Sequence, residues 1–218
     1  MSLLPRPFRD GGLLVWRNLL PLLWLNLIWA VLAWTLVLTG PATLAVYALI
    51  ATTMREDRDP DLRLFLPLLR RNLLSGVLWA LTVLVFAFLV YSNLTFWPRV
   101  LGPFGDTVVA LLAAYLSWLF VALQPSLLEA LSVERLSSFR AWRAAFLGLA
   151  RHPVTGHLYV LIPLAALLLS VFFQTFAFVI LVSLVLAFAA TQVRPLVTRE
   201  PPLDEGPEPP AEPSAPSA

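Results

Sequence analysis

Residues 55–71 read REDRDPDLRLFLPLLRR, five arginines and four acids set between long apolar runs. The rest of the chain repeats that contrast. It has 15 arginines and no lysine. Three arginines lie in Met1–Arg17, four in Val133–His157 and two in Arg194–Arg199, all in short gaps between apolar segments. Only Arg99 falls in a gap on the other side of the alternation. Polytopic proteins of the bacterial inner membrane mark their cytoplasmic loops in this way. The expected fold is therefore an all-α integral membrane protein, a compact bundle of about six transmembrane helices, some short or kinked. Both termini are expected in the cytoplasm.

Composition agrees. Of 218 residues, 59% are hydrophobic and 13% charged, and mean hydropathy is +0.82. A soluble domain carries about twice that charge fraction, and apolar runs of about 20 residues are long enough to cross the hydrocarbon core. The chain has no cysteine, which excludes disulfides, a thiolate nucleophile and cysteine-ligated metals. The first apolar run extends past Val37, too far for a signal core, and is read as a retained span. The arginines are spread over several loops, so anionic lipid headgroups are expected partners and nucleic acid is not.

The first span is expected over 19–38, ending at Thr39-Gly40-Pro41, where glycine permits the reversal and proline starts the next helix. Residues 42–54 follow, only about 20 Å long as a helix. Arginines on both sides ask this pair to go out and return; the competing reading of 42–54 is a re-entrant segment. Asp59-Pro60 reads as an N-cap and a first-turn proline. Further spans are expected at 72–91 and 104–131, the latter kinked by Pro125, with an outside loop at 92–103 carrying Trp97 and Arg99. The block 156–192 holds two more, with a reversal near 172–174. Residues 1–198 thus form the membrane domain. Residues 199–218, with seven prolines and five acids, read as a disordered cytoplasmic tail. Residues 65–70 (FLPLLR) echo residues 146–151 (FLGLAR), each ahead of an outward span. A parallel repeat, an arrangement some transporters use, is one reading; in so leucine-rich a chain, chance is the simpler account of a match of six positions.

Two groups of residues are candidates for function. In Ser138–Arg151, Arg140, Arg143 and Arg151 share one side and Phe139, Trp142, Phe146 and Leu149 the other. That is a basic amphipathic helix suited to the headgroup layer. With Arg70 and Arg71, these arginines are candidate contacts for anionic lipid or a partner protein; a topology anchor is the simpler account. Asn26, Gln124, Glu129 and Gln174 form a candidate intramembrane polar site. Packing between small-residue faces is the simpler account of the amides. An intramembrane carboxylate is a functional candidate by default, but Glu129 lies close enough to the loop for an ion pair with an arginine such as Arg135. His152 and His157 do not share a helical face and have no metal-binding pattern. No nucleotide loop, serine elbow or paired acids at catalytic spacing occur, so no catalytic residue, metal or cofactor is assigned and the chain is read as not an enzyme.

The order of several short motifs resembles the YesL-like bacterial membrane proteins. These are Leu25-Asn26-Leu27-Ile28-Trp29; the Thr39-Gly40-Pro41 break before an Ala/Tyr-rich helix; Phe65 through Asn72; Pro125; and Ala141 through Pro153 with Ala145, Phe146 and Leu149. The resemblance covers most of Phe8–Val193. The chain departs from the family pattern in using arginine throughout and leucine where phenylalanine is common. The resemblance implies a compact helical bundle in the bacterial cytoplasmic membrane and a domain of unknown function. Family members often stand beside carbohydrate-uptake systems, which implies a transport-associated role, as accessory subunit or minor solute permease. The alternatives are an assembly or structural factor that binds another membrane protein, and a lipid-modifying enzyme recruiting Glu129, His152 and His157.

Overall fold

The computed structural model describes residues 5–58, 60–173 and 177–197. Among these the chain is helical, with no strand. The helices are α1 (Arg6–Arg17), α2 (Leu19–Ala33), α3 (Thr39–Thr52), α4 (Phe65–Arg71), α5 (Leu73–Trp97), α6 (Gly102–Ser132), α7 (Ser138–Arg151), α8 (Pro153–Phe172) and α9 (Val182–Val193), the last preceded by a π-helical turn at Ala177–Leu181. Three of them, α5, α6 and α8, are long and apolar enough to cross a membrane. The pair α1 and α2 counts as a fourth only if a bend of 86° between them lies within one span. The tail 199–218 and Gln174 lie outside the described residues, as does Asp59; the cap seen in that loop is Asp61, whose carboxylate accepts the Arg63 N–H at 2.9 Å.

The chain repeats one unit: a basic helix, a hinge, then an apolar helical hairpin. Arg-Asn-Leu-Leu occurs at 17–20 and again at 71–74. At each copy the asparagine amide donates back to the carbonyl four residues earlier, Asn18 to Leu14 and Asn72 to Leu68, both at 3.0 Å. This closes the last turn of α1 and of α4 and frees the chain to change direction. In the third unit α7 ends at His152, followed by Pro153 at the first position of α8. The echo between 65–70 and 146–151 falls over most of α4 and the last turns of α7, each just ahead of a hinge.

The core is α3. Every residue from Gly40 to Ala51 is buried. Alanines at 42, 45, 48 and 51 keep the helix slim, so α2, α4, α5, α6 and α9 all pack near it. At its start the backbone of Gly40-Pro41 meets that of Gly76 in α5, so closely that a methyl group on either glycine would collide with the other strand of backbone. Glycine is required at both positions by this approach.

α5 and α6 form an antiparallel hairpin. The Phe86 and Phe120 rings stack at 4.0 Å, and the Trp79 indole donates to Gln124 Oε1 at 3.0 Å. The outside loop expected at 92–103 is mostly helix. Asn93 and Thr95 donate back to Leu89 and Tyr91, and Trp97 donates to Asn93. These polar side chains are satisfied within the helix and do not need a loop. The break falls at Gly102, the one residue between 73 and 132 with non-helical torsions (φ 69°). Pro125 therefore sits inside a continuous helix.

Candidate functional site

Glu129 lies one turn from the end of α6 and is 1% exposed. Its oxygens are held from three other segments. Arg55, just past α3 and 2% exposed, donates Nη2 to Oε1 and Nη1 to Oε2, both at 3.1 Å. The Tyr47 hydroxyl, from the middle of α3, donates to Oε2 at 3.0 Å. Arg194, after α9, places Nε 3.2 Å from Oε1 and reaches Glu134 at 3.1 Å. Two arginines and two glutamates make the group electrically balanced. Arg55 Nη1 also donates to the Ala190 carbonyl at 3.2 Å. A two-pronged guanidinium–carboxylate pair whose remaining positions are filled is the geometry in which a buried ion pair persists.

The ion pair expected for Glu129 is thus present with different partners, Arg55 and Arg194. Arg135 instead sits in the α6–α7 loop with a left-handed backbone (φ 58°). The C-terminal strap is tied to the same place: Val197 N–H donates to the Arg55 carbonyl at 3.0 Å, and Leu196 N–H to the buried Asp10 carboxylate at 3.3 Å.

The polar residues proposed to share one site are dispersed. Asn26 Oδ1 accepts the N–H groups of Val182 and Ser183 at 3.0 and 3.1 Å. It satisfies donors at the start of α9, where a helix lacks internal acceptors. Gln124 donates to Phe120 and accepts from Trp79. Beside it is an apolar recess of about 410 Å³ walled by Trp29, Trp79, Tyr159, Pro163, Leu167 and Leu181. The Trp29 indole is likewise satisfied, by Thr43 at 2.9 Å. Its surface is mostly apolar, with Thr39, Thr43 and Gln124 at its wall, and can take hydrocarbon.

A second cavity, of about 340 Å³, lies beside Glu129, with Ser126, Glu134, Arg151, His152 and Gln192 among its lining residues. Glu129 and His152 share it. His157 does not line it; its Nδ1 lies 2.8 Å from the Pro153 carbonyl. Among the described residues no cluster of three or more His, Asp or Glu side chains could hold a metal.

α7 differs from the two-faced helix read from the sequence. Its inward face is Ala141 and Ala145, with Gly148 close enough to α6 that an added methyl would lie 2.6 Å from Ser126 Oγ. Phe139 and Phe146 are exposed, and Trp142 packs on Phe120 at 6.0 Å between ring centres. The small residues make the close part of the helix contact, because they allow close approach, and Trp142 packs beside them. Arg70, Arg71, Arg140, Arg143 and Arg151 are all exposed and make no ion pair among the described residues. Arg71 donates to the Ser132 carbonyl at 3.0 Å, tying α4 to the end of α6.

Residues 22–94 match the family model described as a protein of unknown function, DUF624. The YesL-like resemblance is consistent with that match. The matched stretch contains α3, Tyr47 and Arg55 but stops short of Glu129 and Arg194, so it covers one side of the buried pair. No curated protein and no solved structure matches the chain.

Proposed function

We propose that this chain is a multi-pass protein of the bacterial cytoplasmic membrane, with both termini on the cytoplasmic side, that acts as an accessory subunit of a transport system. One observation carries the choice of subunit over permease: among the described residues the buried side-chain polar atoms are satisfied within the protein. A permease holds its solute in a polar cavity near midplane, lined by broken helices. Here the central helix α3 is buried along 40–51, and the deep carboxylate of Glu129 is engaged by Arg55, Tyr47 and Arg194. The exposed arginines of α4 and α7 suit anionic headgroups or the acidic face of a partner. The YesL-like resemblance points to carbohydrate as the transported class. Cells lacking the gene should lose carbohydrate uptake, and the purified protein alone in liposomes should carry no flux. Flux through the protein alone would make it a permease and refute this reading.

A second reading, an assembly factor, is favoured by Ala110 and Ala114, which lie exposed on α6 where another helix could approach closely. Co-purification of one defined membrane protein from mild detergent, lost on Ala114→Leu, would support it. The lipid-modifying reading has less support, since Glu129 has no free oxygen to act as a base.

A further inference from the structure

We infer that the α2–α3 hairpin is re-entrant: it enters the bilayer from the arginine-rich side and returns to that side without reaching the other face. Three independent observations point to this. The first is depth. The start of α3 meets Gly76, in the opening turns of α5. From Gly76 to Trp97, α5 continues for about 31 Å at 1.5 Å per residue, the thickness of a hydrocarbon core. The tip of the α2–α3 hairpin and the tip of the α5–α6 hairpin therefore cannot lie at the same face. If the α2–α3 tip stood at the far face, α5 and α6 would project beyond it into water. They would then expose Leu84, Val85, Phe88, Leu89, Leu111 and Leu112, all of them already uncovered by protein.

The second observation is the chemistry of the two tips. The α5–α6 reversal carries Arg99 and Gly102, as a turn in water or headgroups would. The α2–α3 turn reads Trp34-Thr35-Leu36-Val37-Leu38, with Trp34 82%, Leu36 81% and Val37 66% exposed. No charge occurs anywhere from Asn18 to Met54. Such a turn suits hydrocarbon.

The third is hydrogen bonding. Every backbone N–H from Thr35 to Thr39 finds an acceptor inside the turn: Leu32, Ala33 and Leu36 carbonyls, the Thr35 carbonyl for Val37, and the Thr35 hydroxyl oxygen for Leu38. The two threonine hydroxyls donate in turn to Leu32 and Ala33. Internal acceptors for these N–H groups are what a turn in lipid requires of its donors, since lipid supplies none. Leu36 takes up a left-handed backbone (φ 56°) within it.

The inference rests on α5 and α6 crossing the membrane and on no assumption about solute or partner. Because the natural chain lacks cysteine, single thiols can be read without background. Val37→Cys, Arg99→Cys and Ser137→Cys, in the full chain in sealed vesicles, would be treated with a membrane-impermeant maleimide from one face and then the other. Arg99→Cys should react from one face and Ser137→Cys from the opposite one. Val37→Cys should stay at background from the Arg99 face and become reactive once detergent is added, with Trp34→Cys behaving alike. Reaction of Val37→Cys from the Arg99 face would overturn the inference. So would failure of both Val37→Cys and Trp34→Cys to react in detergent, since the tip would then not be exposed. If Arg99→Cys and Ser137→Cys exchange faces, the proposed cytoplasmic location of the termini fails while the re-entrant hairpin stands.

Discussion

The α2–α3 and α5–α6 hairpins start from the same four residues and end in opposite surroundings. Each follows Arg-Asn-Leu-Leu, each is introduced by a basic helix, and each is predominantly apolar, α2–α3 without a charge and α5–α6 with Arg99, Asp106 and Glu129. Yet α3 is enclosed by protein over its length, while most of α5 and α6 is uncovered. Hydropathy does not separate them. Side-chain size and helix length do. Gly40 and the alanines of α3 let neighbouring backbones close in, and 14 residues make a helix shorter than the bilayer. α5 and α6 present leucine, valine and phenylalanine over 25 and 31 residues, which lipid chains solvate as well as protein would. In a membrane, apolar character says that a helix belongs there; small residues and short length say that it belongs inside.

The largest expected effect is at the ion pair closing the α3 side. Glu129→Ala leaves Arg55 charged and buried without its carboxylate, which costs about 3–5 kcal/mol; thermal unfolding in detergent should show it as a steep loss of the folded fraction. Next is the backbone contact that joins the two hairpins. Gly76→Val overpacks the crossing with Gly40-Pro41 and should destabilise by about 1–3 kcal/mol or more, whereas a leucine-to-alanine change at the exposed Leu84 should stay within about 0.5 kcal/mol. Equal effects at Gly76 and Leu84 would break the distinction between the hairpins. Between these extremes in size, and at the surface of the third unit, Arg140→Gln and Arg143→Gln should each weaken the affinity of the detergent-solubilised protein for a short-chain anionic phospholipid roughly fivefold and leave unfolding unchanged, as lipid titration of the purified protein would read.

Much of this architecture can be read from the chain alone. Arginine-bearing segments separate the apolar ones, the Gly40-Pro41 break starts α3, and Ser138–Arg151 forms one basic helix, because charge and helix breakers act locally. What escapes a local reading is pairing across the fold. Glu129 is within a few residues of Arg135, but its guanidinium comes from Arg55, 74 residues away. The available hint was position: Arg55 is the first charge after a segment with small residues at every third place, 42, 45, 48 and 51. Asn26 as acceptor for the first N–H groups of α9 depends on a π-helical turn that periodicity does not announce. The helical run through 92–97 was hidden because Asn93 and Thr95 look like loop residues until their bonds to Leu89 and Tyr91 are seen.

The claim that the rest depends on is that Glu129 and Arg55 form one buried ion-paired unit against α3, not two separate binding groups. A double-mutant cycle of thermal stability in detergent tests it, using Arg55→Met, Glu129→Leu and the pair together. The account predicts that each single change is strongly destabilising and that the double variant regains most of the loss, since two apolar side chains can fill the same space. Losses that simply add in the double variant would contradict it.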